Sequence, residues 1–267
     1  MSGEPEGGGG RDFIQSIDRA FAVLRCFSLE TPEPTLGEVA EHARLDRAAA
    51  RRYLLTLERL GYVGKRGSRF HLRPRILELG YSYLSSLSLP RLAQPFLVDL
   101  ATRCEESCSL TVLDGTEIAY VAVANAVRGL SITLTVGNRL PAYCTAAGRA
   151  LLSGLGDDAV REVLTASGMR AHTATTVWDV DAVLTRVRAA RERGWCVVDQ
   201  ELEDGVRSVS VPVHGRDGSV VAAATVSVPS SRISTEALAG EIREMLQQTV
   251  AQLETSTRDA PVRPPVG

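Results

Sequence analysis

Arg47, Arg51 and Arg52 sit in the run Leu45-Asp-Arg-Ala-Ala-Ala-Arg-Arg-Tyr-Leu-Leu-Thr-Leu-Glu-Arg-Leu60, and their chemistry is that of binding a polyanion. Ala50, Tyr53, Leu54, Leu57 and Leu60 recur at helical spacing, which places them on one face, with Arg47, Ala48, Arg51 and Arg52 on the other side of the first two turns. Guanidinium groups there can hydrogen-bond phosphate oxygens and base edges, because only the N-terminal part of a recognition helix reaches into the major groove. For an isolated helix a solvated basic face would be the plainer reading. The flanking sequence therefore decides.

Asp46 is placed to cap this helix: its carboxylate can accept from the first free backbone N–H groups and suits the positive end of the dipole. Before it, Thr35-Leu-Gly-Glu38 has the form of a capping box and opens a helix with Leu36, Val39, Ala40 and Ala43 inward. Arg44-Leu-Asp46 is then a three-residue turn, giving a helix-turn-helix. An earlier helix, with Ser16 read as its N-cap, turns Ile17, Ala20, Phe21, Leu24 and Phe27 toward the core and ends before Pro32 and Pro34. After Gly61, Tyr62-Val63 and Phe70-His-Leu72 read as strands around Gly64-Lys-Arg-Gly-Ser-Arg69. A basic hairpin after three helices makes a winged helix, with Lys65, Arg66 and Arg69 at the wing. Thr35, at the start of the second helix, joins Arg47, Ala48, Arg51 and Arg52 as a DNA-contact candidate.

Charge agrees with this division. The 267 residues carry a net charge of −2, yet residues 11–75 hold 13 Arg/Lys against 8 Asp/Glu, a local +5 that leaves −7 elsewhere. Affinity for phosphates belongs to the N-terminal part. The length suits two domains. No apolar run is long enough to span a membrane, and the glycine-rich, acidic start is unlike a signal peptide, so the expected location is the cytoplasm. The five cysteines (Cys26, Cys104, Cys108, Cys144 and Cys196) are scattered and odd in number, and are read as reduced core thiols without a zinc site.

Residues 1–12 read as a disordered tail, 13–75 as the winged helix-turn-helix and 76–89 as an apolar linker helix that pairs with a second copy or packs on its own downstream domain. Residues 90–256 read as an effector domain and 257–267 as a flexible tail. In the effector domain, a helix over Arg91 to Glu105 precedes strands at Ser109 to Leu113, Ile118 to Ala124 and Ser131 to Val136. A loop from Gly137 leads into a small-residue helix at Thr145 to Leu152, followed by helices at Asp157 to Ala166 and Val180 to Arg193. Strands at Cys196 to Leu202, Val206 to Val213 and Val220 to Val228 precede a last helix from Thr235 to Leu253. The class is α+β, an antiparallel sheet covered by helices, with room for a small molecule between the sheet and a loop. Phosphate-binding loops, metalloprotease motifs and nucleophile elbows are absent, so neither enzyme activity nor a cofactor or metal is expected.

Leu45 to Leu57, Leu60-Gly-Tyr-Val63, Pro74-Arg-Ile-Leu-Glu-Leu-Gly-Tyr-Ser-Tyr-Leu84 and Pro141-Ala-Tyr-Cys-Thr-Ala-Ala-Gly-Arg-Ala-Leu-Leu152 resemble the IclR family of bacterial transcription regulators. Within it, the Arg-Ala-Ala-Ala-Arg-Arg run resembles the β-ketoadipate-pathway subgroup, which controls catabolism of protocatechuate and 4-hydroxybenzoate. Asp46 stands where the family has Thr or Pro, but it too can cap a helix. The resemblance implies a GAF-like effector domain, a homodimer or dimer of dimers, double-stranded operator DNA as one partner and a small aromatic or aliphatic carboxylate as another. It implies effector contacts from backbone N–H groups at Ala146 and Ala147 and from positions near Asp199, Val206 and Ser208. Arg139 and Leu140 lie at the loop mouth, where the arginine could pair a second carboxylate, although a solvated arginine is the simpler reading. Cys144 reads as a small pocket wall rather than a nucleophile. A different class remains open: an enzyme or small-molecule-binding protein acting on an aromatic acid, its N-terminal module used only for assembly.

Overall fold

A computed structural model describes residues 13–28, 30–80, 88–126 and 134–259, which fall into two compact units divided between Tyr83 and Leu84. The N-terminal unit comprises α1 (Gln15–Arg25), α2 (Leu36–His42), α3 (Arg47–Arg59) and the antiparallel strands β1 (Val63–Arg66) and β2 (Arg69–Leu72). The capping box forms as expected: Glu38 N–H donates to Thr35 Oγ1 at 3.3 Å and Thr35 N–H to Glu38 Oε2 at 2.7 Å. Asp46 Oδ1 accepts from Ala49 N–H at 2.8 Å, which fixes where α3 begins. Val23, Val39, Ala40, Ala50, Leu54, Leu57, Val63 and Phe70 form its core.

Several details of this unit differ from expectation. The N-cap of α1 is Ile14, with no side-chain cap, not Ser16. Helix α1 is apolar on two sides, so its spacing alone does not select the buried one; Val23 is buried, whereas Ile17 and Phe21 are 52% and 48% exposed. Leu60 is likewise exposed, because α3 ends at Arg59 and Gly61 turns the chain with φ of +84°. The wing is tighter than read from sequence, with Lys65 and Arg66 inside β1 and Gly67 and Ser68 alone at the turn. Pro74–Ile76 is a 3-10 turn and residues 77–80 are helical. The rest of the expected linker helix, over 81–87, lies outside the described residues, as do the tails at 1–12 and 260–267.

The C-terminal unit is a six-stranded, wholly antiparallel sheet in the order β5-β4-β3-β8-β7-β6. Its strands are β3 (Ser107–Asp114), β4 (Glu117–Ala124), β5 (Arg139–Pro141), β6 (Cys196–Asp199), β7 (Val206–His214) and β8 (Val220–Pro229). One face packs on α4 (Ser88–Cys104) and on α9 (Arg243–Asp259), which α8 (Thr235–Ala237) enters through a π-helical turn at Leu238–Ile242. Cys108, Leu110, Val112, Val209, Val211, Ala224, Val226 and Leu246 are buried in that layer. The opposite face is covered by α5 (Ala146–Leu152), α6 (Asp157–Ala166) and α7 (Val180–Arg193). At β4 the alternation breaks: Leu110 pairs with Ala122 and Thr111 with Tyr120, so Val121 bulges out of register.

The boundaries at α6 and α7 agree with the sequence reading, but others shift. Helix α4 begins at Ser88, so Pro90 sits in its first turn, where a missing N–H costs nothing, rather than at a domain boundary. Strand β5 falls in the stretch expected to be loop, and of the strand expected at Ser131 to Val136, residues 134–136 are not part of a strand and 131–133 lie outside the described residues. Strand β6 stops at Asp199 because Gln200 adopts φ of +58°. Helix α9 runs to Asp259, past the expected start of a loose tail. Gly148 lets α5 lie against the preceding loop, since a Cβ there would stand 2.1 Å from the Ala142 carbonyl oxygen. That approach sets the position of α5 over the sheet.

Candidate functional site: a basic helix face and a hydroxyl-lined cavity

Capping by Asp46 and burial of Ala50, Leu54 and Leu57 rotate α3 so that Arg47, Ala48, Arg51 and Arg52 are exposed together. In the wing, Lys65 stands 5.8 Å from the Phe70 ring centroid, which steadies its stem at the surface. Arg66 Nη1 meets Glu33 Oε1 at 3.1 Å, and Arg69 Nη1 donates to the Glu33 carbonyl at 2.8 Å. Side chains this exposed gain little from such contacts, so a phosphate can displace Glu33 at small cost. Thr35 is half-buried and bridges to Arg69 through the backbone, tying the start of α2 to the wing. The geometry brings all eight N-terminal candidates into the helix-turn-helix and wing.

In the C-terminal unit a cavity of about 170 Å³ lies between the sheet and the start of α5. Its floor carries hydroxyls from Tyr120, Ser208, Thr225 and Ser227, and its walls include Ile118, Leu140, Cys144, Ala146, Ala147, Val198 and Val206. Ser208 and Ser227 face each other across the strand pair with their oxygens 3.0 Å apart. One strand position further in, Ser210 donates to the Ala224 carbonyl at 3.0 Å and lies 2.9 Å from Thr225 Oγ1. Burial pushes the Tyr120 phenol up to about 12 and the Cys144 thiol up to about 11, so both stay protonated at neutral pH. Tyr120 can thus donate a hydrogen bond, and Cys144 is an unreactive wall.

Beneath α5 lies an ion pair with almost no solvent contact. Arg149, whose side chain is 2% exposed, donates to Glu201 through Nη1 at 2.7 Å and Nη2 at 2.6 Å. Its Nε donates to the Tyr143 carbonyl at 2.9 Å, and Val177 N–H donates to Glu201 Oε2 at 2.9 Å. One pair therefore fastens α5, the loop before it, the segment at Val177 and the turn after β6. Glu201 also lines the cavity, as does Glu203.

Six of the eight effector candidates, Leu140, Cys144, Ala146, Ala147, Val206 and Ser208, line this one cavity. The structure holds the other two elsewhere. Arg139 Nε donates to Glu117 at 2.8 Å and Nη1 to Asp114 at 2.5 Å, and these carboxylates raise its already high pKa. Asp199 receives Arg207 Nε at 2.6 Å; burial alone would raise its carboxyl, but the hydrogen bonds from Arg207, Gln200 and Thr235 and the Arg207 charge together outweigh that and hold it below the usual range. Both are committed to intramolecular partners. Among the described residues, no group of three His, Cys, Asp or Glu could hold a metal ion, and no helix is long and apolar enough to cross a membrane.

Residues 16–67 match the IclR helix-turn-helix domain, and residues 81–255 match the C-terminal domain of bacterial IclR transcriptional regulators. The chain belongs to the IclR family. It is 39% identical over 231 residues to the Pca regulon regulatory protein of Pseudomonas putida, covering 86% of this chain and 79% of that protein. The crystal structure of a putative transcriptional regulator from Rhodococcus sp. RHA1 superposes with a TM-score of 0.81 at 44% identity, over 92% of this chain and 99% of the other. A double mutant of the PobR inducer-binding domain from Acinetobacter, in complex with 3-hydroxybenzoic acid, gives a TM-score of 0.59 at 30% identity, over 62% of this chain and 97% of that one. These relatives are regulators, which sets aside the reading of this IclR-family chain as an enzyme.

Sequence reasoning missed Tyr120, Glu201, Thr225 and Ser227 in the lining of this cavity, and Arg149, which holds Glu201. For the hydroxyls a signal existed: Ser208 and Ser210, and Thr225 and Ser227, alternate along adjacent strands and must share one face. Replacing Arg149 by Ala should destabilise the C-terminal unit by about 3 to 5 kcal/mol, because it strands a buried carboxylate. Urea denaturation of the full chain measures this, and a loss below about 1 kcal/mol, the range of exposed pairs, would refute the role given to the pair.

Proposed function

We propose that this protein is an effector-responsive regulator of aromatic-acid catabolism, binding a palindromic operator as a homodimer and sensing a small hydroxylated aromatic acid. The observation that carries the reading is the cavity beneath α5, a hydroxyl floor and apolar walls in one compartment. Apolar walls suit a ring, hydroxyls suit phenolic oxygens, and the small side chains at Ala146 and Ala147 leave the first backbone N–H groups of α5 open to a carboxylate. Relatives named for the Pca regulon and for inducer binding with 3-hydroxybenzoic acid support the same ligand class.

Charge separates the candidate acids. Among the described residues the lining includes Glu201 and Glu203 but neither Arg nor Lys, and Arg149 is spent on Glu201. A monoacid with hydroxyl groups, such as protocatechuate or 4-hydroxybenzoate, brings one charge into this lining. An aliphatic diacid such as β-ketoadipate brings two.

On the DNA side, Arg47, Ala48, Arg51 and Arg52 enter the major groove, Thr35 and the wing residues Lys65, Arg66 and Arg69 contact backbone, and a second copy covers the adjacent half-site. The exposed apolar row Phe13, Ile14, Ile17 and Phe21 on and before α1 supports assembly with that copy. The effector acts only through its unequal affinity for two arrangements of the dimer. A regulator working this way resides with the DNA, in the cytoplasm.

Arg51→Ala should weaken operator binding by about 1 to 3 kcal/mol if its guanidinium reads a base edge, and should lower the salt slope by about 1 if it meets only phosphate. Electrophoretic shifts across a salt series check this, and unchanged binding by the Arg51→Ala, Arg52→Ala double variant would remove α3 as the reading helix. Calorimetry on the full chain should show protocatechuate or 4-hydroxybenzoate binding at least about tenfold more tightly than β-ketoadipate, a gap of about 1.4 kcal/mol. The reverse order would mean that a cation supplies what the described lining lacks.

A further inference from the structure

The turn between α4 and β3 brings two cysteines together. Cys104 ends α4, Cys108 is the second residue of β3, and their sulfurs are 3.9 Å apart. Glu105 holds φ of +57°, folding the chain back so that residues four apart face each other across the corner. Both thiols point at one acceptor, the Glu106 carbonyl, at 3.9 Å from Cys104 and 3.6 Å from Cys108. The Glu106 carboxylate is clamped by Arg232, with both oxygens 2.5 Å from Nη2, so the corner is anchored to the loop after β8. Cys104 is half-buried and Cys108 fully buried, so the pair is approached from solvent on the Cys104 side.

We propose that Cys104 and Cys108 are a thiol-oxidation site at which a peroxide converts the pair to an intramolecular disulfide. The Cys104 thiolate attacks one oxygen of the peroxide, the O–O bond breaks, and the products are a sulfenic acid on Cys104 and one molecule of alcohol or water. The Cys108 sulfur then displaces the sulfenic oxygen as water and forms the S–S bond. The sum is two thiols plus one hydroperoxide giving one disulfide, one alcohol and one water. The sulfurs must close by roughly 2 Å to reach a bond of about 2.05 Å, a distance within reach of side-chain rotation.

The order of events follows from the surroundings. The hydrogen bond from Cys108 lowers the Cys104 pKa, whereas the same contact, with burial, raises that of Cys108 well above the usual thiol range. A half-buried thiol of lowered pKa backed by a fully buried resolving thiol is the arrangement of a sensor cysteine. The remaining thiols differ: burial raises the pKa of Cys26, takes Cys144 to about 11 and takes Cys196 to about 12. They serve as internal controls. Cys108 pairs with Val226 and its neighbour Ser107 with Ser227, a cavity residue, so the disulfide would form one strand away from the cavity floor.

The test uses the reduced full chain, treated with one to two equivalents of hydrogen peroxide, digested with trypsin without reductant and analysed by mass spectrometry. Cys104 and Cys108 share the tryptic peptide from Cys104 to Arg128, while Cys26, Cys144 and Cys196 fall in three others. The expected result is loss of two hydrogens from that peptide alone, restored by dithiothreitol, and a fall from five titratable thiols in the unfolded protein to three. Cys108→Ser should instead accumulate a sulfenic acid at Cys104 that a dimedone probe captures, and Cys104→Ser should abolish both products. A Cys104 to Arg128 peptide that keeps its mass, or oxidation spread equally over all five cysteines, would overturn the proposal, and neither result depends on any effector being bound.

Discussion

A guanidinium and a carboxylate out of water must hold each other, and in this protein Arg149 and Glu201 do so from elements 52 residues apart. The cost of desolvating both charges is offset only when the geometry is bidentate and the remaining donors and acceptors are used. Here the Tyr143 carbonyl and the Val177 N–H complete the set. The pair therefore does more than join two residues. It fixes the height of α5 above the sheet, and the gap left beneath the helix start is the cavity.

Other contacts cooperate with it. Gly148 permits α5 to lie against Ala142, Tyr143 reaches across to the Arg170 carbonyl at 2.8 Å, and Thr176 bonds the Glu201 carbonyl at 2.5 Å. Fastened on one side by charge and on the other by close packing, this layer cannot collapse onto the hydroxyl floor. A polar floor would be expensive if dry, and Ser109 already shows a buried hydroxyl without a partner among the described residues. A ligand that supplies hydrogen-bonding groups relieves that cost, and an apolar ligand would not.

Much of this was legible in the chain. The caps at Thr35 and Asp46, the bounds of α6 and α7 and the positions of β7 and β8 depend on local signals, spaced 3.6 or 2 residues apart, and they appear where the periodicity places them. Side chains whose partners are distant were not legible. Arg149 sits among Ala and Gly as an arginine that spacing alone would leave in solvent, and Glu201 reads as one of a run of surface acids. The alternation of Ser208 and Ser210 with Thr225 and Ser227 places hydroxyls on one sheet face, but only the fold shows that this face floors a cavity beneath the start of α5. Arg139 and Asp199 stood in the right neighbourhood, but their own carboxylate and guanidinium neighbours claimed them first. On α1, apolar residues on both sides left the buried face undetermined.

The most direct test of the account is a crystal structure of the full chain grown with protocatechuate. The account predicts the ring between the start of α5 and the β7 to β8 hydroxyls, its carboxylate toward Ala146 and Ala147, and the Arg149 to Glu201 pair intact. A ring bound elsewhere, or a carboxylate that draws Arg149 away from Glu201, would contradict it.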